Sequence, residues 1–128
     1  MLFMNKRILA FGLVLVLLFS LCGCGASFDS VKKNLEDNGY EINVYDEELL
    51  DEMQANLTYI YKGEGKILNA LSATNGANKI TVIEFEKKSD LEIMYKELQV
   101  GLQGDEKMDF SANVLVYGTP EALKTALK

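Results

Sequence analysis

The chain of 128 residues has no histidine and no tryptophan, a single proline and two cysteines, and its 13 lysines and arginines face 19 aspartates and glutamates. Each shortage removes a class of function. Without imidazole there is no Ser-His or Cys-His nucleophile and no histidine metal ligand. Cys22 and Cys24, separated by one residue, cannot staple a small secreted domain, so a disulfide framework is excluded. A formal charge of −6 offers no basic surface to nucleic-acid phosphates.

The apolar residues, 48% of the total, are unevenly spread. Lys6 and Arg7 precede a predominantly apolar run over residues 8–21, after which comes the small-residue patch Cys22-Gly23-Cys24-Gly25-Ala26. A bilayer core asks for about 20 apolar residues, so the run is short for a spanning helix and has the charged start and small-residue end of an export signal.

Leu21-Cys22-Gly23-Cys24 resembles the lipobox of bacterial lipoproteins, in which a Leu, a small residue and a Gly or Ala precede an obligatory Cys. The resemblance implies that Cys24 is lipidated with a diacylglyceryl group, that cleavage falls just before it, and that the protein is held on the extracytoplasmic side of the cell membrane. Cys22 is a departure, standing where Ser, Ala or Thr is usual. As the acceptor it fits worse than Cys24, because bulky Leu21 would adjoin the cut. A soluble secreted protein cut after Ala26 and an uncleaved anchor are the alternatives; the charged start, short run and placed Cys together favour the lipoprotein. Two acyl chains make attachment effectively permanent, since each buried methylene contributes about 0.8 kcal/mol. The expected organisation is a signal peptide at 1–23, a lipidated tether at 24–26 and one domain at 27–128. Cleavage before Cys24 removes Lys6 and Arg7 but no acid, leaving 105 residues with a charge of −8 and Cys24 as the sole thiol position. The membrane is then a partner through the lipid, and no nucleic-acid partner is expected. In size and lysine-only basicity the remainder resembles small uncharacterised lipoproteins of low-GC Gram-positive bacteria.

The mature part reads as α+β. Phe28, Val31 and Leu35 share a helical stripe that starts at Ser27 and ends at Gly39. Residues 40–45 alternate as a half-buried strand. Asp46 is placed to cap a helix over 46–57 with Leu49, Leu50, Met53 and Leu57 on one side, the least secure element. Runs at 66–73 and 79–86 flank Asn75-Gly76-Ala77-Asn78, a hairpin with a loop of four residues or slightly more. Ser89-Asp90-Leu91-Glu92 has the form of a capping box, ahead of Met94, Tyr95, Leu98 and Leu102 on one face. A last strand over 112–117 precedes Thr119-Pro120 and a terminal helix. This order predicts a four-stranded antiparallel sheet with a ferredoxin-like β-α-β-β-α-β core and an extra helix at each end.

In residues 80–83 and 114–116 apolar side chains occupy both strand phases, so both sheet faces need cover. The terminal helices are expected to cover the second face; the alternative is a partner or ligand surface. Tyr45, Tyr59, Tyr61 and Tyr117 are amphipathic candidates for binding, and Tyr45, Thr81 and Tyr117 form the candidate interaction face.

Catalytic and ligand motifs are thin. Ser30-Val31-Lys32-Lys33, Ser111-Ala112-Asn113 and Lys124-Thr125-Ala126 follow the order of the penicillin-recognising motifs, but the last lacks its Gly and the chain is too short for that scaffold. The acidic groups, Glu47, Glu48, Asp51 and Glu52 at helical spacings, Glu84 and Glu86 on one strand face, and Asp105, Glu106 and Asp109 in a loop, match no calcium loop and read as solvated surface. Gly63-Glu64-Gly65-Lys66 lacks the spacing and the hydroxyl residue of a phosphate loop. No cofactor, metal site or catalytic residue is expected. The expected function is a small non-enzymatic binding or protein-interaction module, with an envelope protein as candidate partner; the alternative is a small cell-envelope enzyme or enzyme inhibitor.

Overall fold

The computed structural model describes residues 26–61, 65–100, 102 and 104–128. The signal, the lipobox and Cys24 lie outside the described residues. The chain runs α1 (Phe28–Asp37), β1 (Glu41–Val44), α2 (Glu47–Tyr61), β2 (Ile67–Asn75), β3 (Asn78–Phe85), α3 (Lys88–Gln99), β4 (Lys107–Ser111), β5 (Val114–Gly118) and α4 (Pro120–Ala126). The α+β class is therefore as expected, and the helix after Asp46 is present and longer than its sequence stripe suggested.

The sheet differs from the ferredoxin-like expectation. It has five strands in the order β1-β2-β3-β5-β4, with every neighbouring pair antiparallel. In a split β-α-β unit the strands flanking a helix run parallel; here β1 and β2 flank α2 yet pair antiparallel, which leaves β1 at the edge. The additional strand is β4, where apolar Met108 and Phe110 alternate with Lys107, Asp109 and Ser111. Asp109, expected in a loop, lies on this strand, and its carboxylate accepts the Phe110 N–H at 2.7 Å.

Local chemistry accounts for the element ends. Ser27 caps α1 by accepting the Ser30 N–H at 3.1 Å, while the Ser30 hydroxyl accepts the Ser27 N–H at 3.0 Å, a reciprocal box built from two serines. At the other end Gly39 adopts φ 81°, Gly39 N donates to Glu36 O, and Tyr40 N donates to Leu35 O. This is a Schellman closure, with Leu35 and Tyr40 buried in the same cluster as its apolar contact. Asp46 caps α2 through the Leu49 N–H at 2.9 Å. The capping box expected at Ser89 is not formed: α3 starts two residues earlier than that cap implies, with Lys87 as its N-cap and no side-chain cap bond.

The β2–β3 hairpin is tighter than its sequence suggested. Asn75 pairs directly with Asn78, leaving Gly76 and Ala77 as a two-residue turn with Gly76 at φ 61°, the sign needed at the first central position of a type II′ turn. Between β4 and β5, Ala112 holds φ 53° without being glycine. A bulge at the start of β2 places Ile67 opposite Phe85 and Asn69 opposite Glu84, so Leu68 is the extra residue and the strand changes phase there.

Two apolar clusters sandwich the sheet. On the first face α1 and α4 pack Phe28, Val31, Leu35, Ala122 and Ala126 against Leu71, Val82, Val114 and Val116. On the second, residues of α2 and α3 pack around Ala70, Ile83, Phe85 and Leu115. The two-phase apolar strands thus have a helical layer on each side, with the terminal helices sharing one of them.

Candidate functional site

The second face changes character along the strands. Register places Ala70 beside Ile83, Ile83 beside Leu115, and Leu115 beside Phe110, an apolar row. One step toward the β2–β3 turn on the same face, Asn43 pairs with Ser72, Ser72 with Thr81, Thr81 with Tyr117, and Tyr117 with Met108. A mostly polar row therefore crosses all five strands beside the apolar one. Strand alternation explains the pairing: Val82 and Val116 point to the first face, so Thr81 and Tyr117 point to the second.

The helices over this face leave a groove. Between β1 and α2 lies a cleft of about 520 Å³ lined by Asn43, Tyr45, Leu49, Glu52, Met53, Asn56, Leu57 and Ser72. Between α2 and α3 a narrower one of about 160 Å³ is lined by Met53, Leu57, Ile83, Leu98, Leu102, Met108 and Tyr117. A third hollow, of about 180 Å³, includes Ser72, Lys79, Thr81, Glu106 and Tyr117. Met53 and Leu57 belong to the first two, Ser72 to the first and third, and Tyr117 to the second and third. The hollows adjoin at these side chains along one groove-like stretch of the second face, with a mostly polar floor and largely apolar helical walls.

The walls are held in place by specific contacts. Gln54 on α2 donates through Nε2 to Gly65 O at 2.8 Å and accepts the Ile67 N–H through Oε1 at 2.7 Å, so one side chain takes the place of a neighbouring strand at the entry to β2. On α3, Tyr95 meets Phe110 edge to face with ring centroids 4.9 Å apart, and its hydroxyl donates to Met108 O at 3.4 Å. Gln99 Nε2 in turn donates to the Tyr95 hydroxyl at 2.8 Å.

Tyr45, Thr81 and Tyr117 all reach this groove. Thr81 and Tyr117 are direct cross-strand partners, while Tyr45 lines the cleft beside α2. Tyr59 stands 86% exposed and lines none of these hollows. Side-chain placement for Tyr61 lies outside the described residues. Ser72, Leu98 and Met108 were not singled out for binding by sequence reasoning. The available signal for Ser72 is the spacing of small residues at Ala70 and Ser72, alternate positions of β2 on the second face, which leaves depth beneath a helix.

Other candidates have structural occupations. Ser30 is bound into the α1 cap, and Ser111 Oγ accepts the Ala26 N–H at 2.8 Å. Glu86 lies 3.8 Å from Lys66, and Glu84 accepts from Asn69 Nδ2 at 2.8 Å, so the two carboxylates expected on one strand face have different partners. Asp46, Glu47, Glu48 and Asp51 line a shallow depression at the start of α2. Among the described residues no group of three or more His, Cys, Asp or Glu is arranged to hold a metal ion, and no helix is long and apolar enough to cross a membrane. Comparison with protein-family models, curated proteins and solved structures finds no match for this chain.

Proposed function

We propose that the protein is a lipid-anchored, extracytoplasmic binding module whose recognition surface is the groove on the second sheet face. The single observation that supports it is that Tyr45, Thr81 and Tyr117 line, with Met53, Leu57 and Met108, three adjoining hollows that share side chains. Such a surface suits a segment of an envelope protein that brings apolar side chains to the helical walls and hydrogen-bonding groups to the Ser72 and Thr81 floor. Methionine walls adapt their shape to such a segment at little cost, because the unbranched thioether has several accessible rotamers. Attachment rests on Cys24, through the lipobox residues Leu21 to Cys24.

Photo-crosslinking in intact cells tests the reading. A benzoylphenylalanine at Asn56, on the groove rim, is expected to capture a discrete envelope protein, whereas the same group at exposed Lys33 on α1 is not. Equal capture at the two positions, or none at Asn56, refutes the groove as the binding surface. For the anchor, Cys24→Ala is expected to abolish palmitate incorporation and release the protein from the membrane fraction.

A further inference from the structure

The first described residue is not a loose end. Ala26 is half-buried against the first-face cluster, and its N–H donates to Ser111 Oγ at 2.8 Å across 85 residues of sequence. The chain therefore leaves the domain at the end of β4, beside the two-residue turn at Ala112 and Asn113. From Ala26 back to Cys24 is two residues, a reach of about 7 Å in extended chain. Phe85 N donates to Asn113 O at 2.8 Å, Asn113 Nδ2 donates to Phe85 O at 2.6 Å, and Glu86 N donates to Lys66 O at 2.8 Å, so one end of the sheet gathers the β4–β5 turn, the close of β3, the approach to β2 and the start of α3. The opposite end carries the turn Asn75-Gly76-Ala77-Asn78, with exposed Lys79 directly after it and exposed Lys107 at the start of β4.

We infer that the domain docks on the bilayer with one fixed pole, the end formed by the β4–β5 turn and the start of α3, so that the β2–β3 turn stands farthest from the lipid. The inference rests on the lipid-anchor reading of Cys24 and adds to it an orientation. Two features carry it. A tether of about 7 Å is shorter than the domain is long, since the eight residues of β3 alone span about 25 Å, so the anchored corner cannot swing far from the headgroups. The same pole presents three exposed lysines, Lys66, Lys87 and Lys88, against Lys79 and Lys107 at the far end, in a chain whose net charge is negative. Lys66 and Lys88 lie at 3.8 and 4.0 Å from Glu86 and Glu92, solvent-exposed pairs that anionic headgroups can share. With the strands standing away from the membrane, the groove on the second face opens sideways, toward proteins in the same envelope layer.

Two single-cysteine proteins read the orientation, Ser89→Cys at the proposed pole and Ala77→Cys at the far turn, both at exposed positions. Each is purified from membranes as the acylated form, labelled with bimane, and reconstituted into phosphatidylcholine vesicles containing phosphatidylglycerol and a headgroup-nitroxide lipid. Quenching at Ser89 is expected to exceed that at Ala77 several-fold, and Ser111→Ala, which removes the acceptor for Ala26, is expected to narrow the difference. An acylated protein whose two labels are quenched alike, or more strongly at Ala77, overturns the orientation and leaves the anchor standing. Intact mass on the same preparation separates the two ideas, because a Cys24 without acyl chains overturns the anchor and the orientation together.

Discussion

The two faces of one sheet are packed to different standards. On the first, Val31, Leu35, Leu71, Val82, Val114, Val116, Ala122 and Ala126 have no accessible surface beyond 0%. On the second, only Ala70, Phe85, Leu91 and Leu115 reach that level, and Tyr45, Leu50, Met53, Leu57, Leu98, Met108 and Tyr117 are partly buried around them. The first face is closed by the two helices farthest apart in sequence, which meet through Asn34 Nδ2 donating to Ala126 O at 3.0 Å. The second is covered by helices that stay apart and leave a groove. Stability and recognition are thereby assigned to opposite sides of the same strands, so side chains on one side can change with little effect on the other.

That division is open to measurement. Leu35→Ala should be the most damaging change on the first face, costing about 3 kcal/mol in denaturant unfolding, because a fully buried leucine leaves a cavity that a closed core cannot fill. Gly118→Ala should cost about 2 kcal/mol by the same measurement: a Cβ there would stand 2.7 Å from Ile80 Cα, and a backbone contact cannot yield as a side chain can. On the second face, Gln54→Ala should cost about 1.5 kcal/mol and speed hydrogen exchange at the Ile67 amide, which loses its acceptor. Leu57→Ala, at the groove wall, should cost only about 1 kcal/mol, since the side chain is already partly in contact with solvent. A Leu57→Ala penalty equal to that of Leu35→Ala would erase the contrast between the faces. The smallest effect is a gain: Ala112→Gly should stabilise by about 0.5–1 kcal/mol, because Ala112 holds φ 53° where glycine pays no steric penalty.

Much of the first face was legible in the sequence. The Phe28, Val31 and Leu35 stripe, Gly39 as a terminator and Thr119-Pro120 as a helix start depend on neighbours within a few positions, and all are found. Even there chemistry moved: Thr119 starts α4, yet its hydroxyl accepts from Lys79 N and donates to Lys79 O instead of capping the helix. The fifth strand was missed because the charges at Asp105, Glu106 and Asp109 outweighed a five-residue alternation at Lys107–Ser111. The ferredoxin-like order failed for a longer-range reason. Whether β2 returns beside β1 or one strand away depends on where α2 docks, and no local spacing encodes that. Tyr45, Thr81 and Tyr117 could be named from the sequence as a candidate interaction face, but their convergence on adjoining hollows depends on a register across β1, β2, β3 and β5 that exists only once the sheet is assembled.

An open sheet has two margins, and here each is a poor template for a further strand. β1 offers only four residues, and on β4 the Asp109 carboxylate already occupies the Phe110 N–H that an incoming strand would need. Copies of the domain crowded together are therefore denied the edge-to-edge pairing through which exposed sheets aggregate, so contact between them is left to side chains.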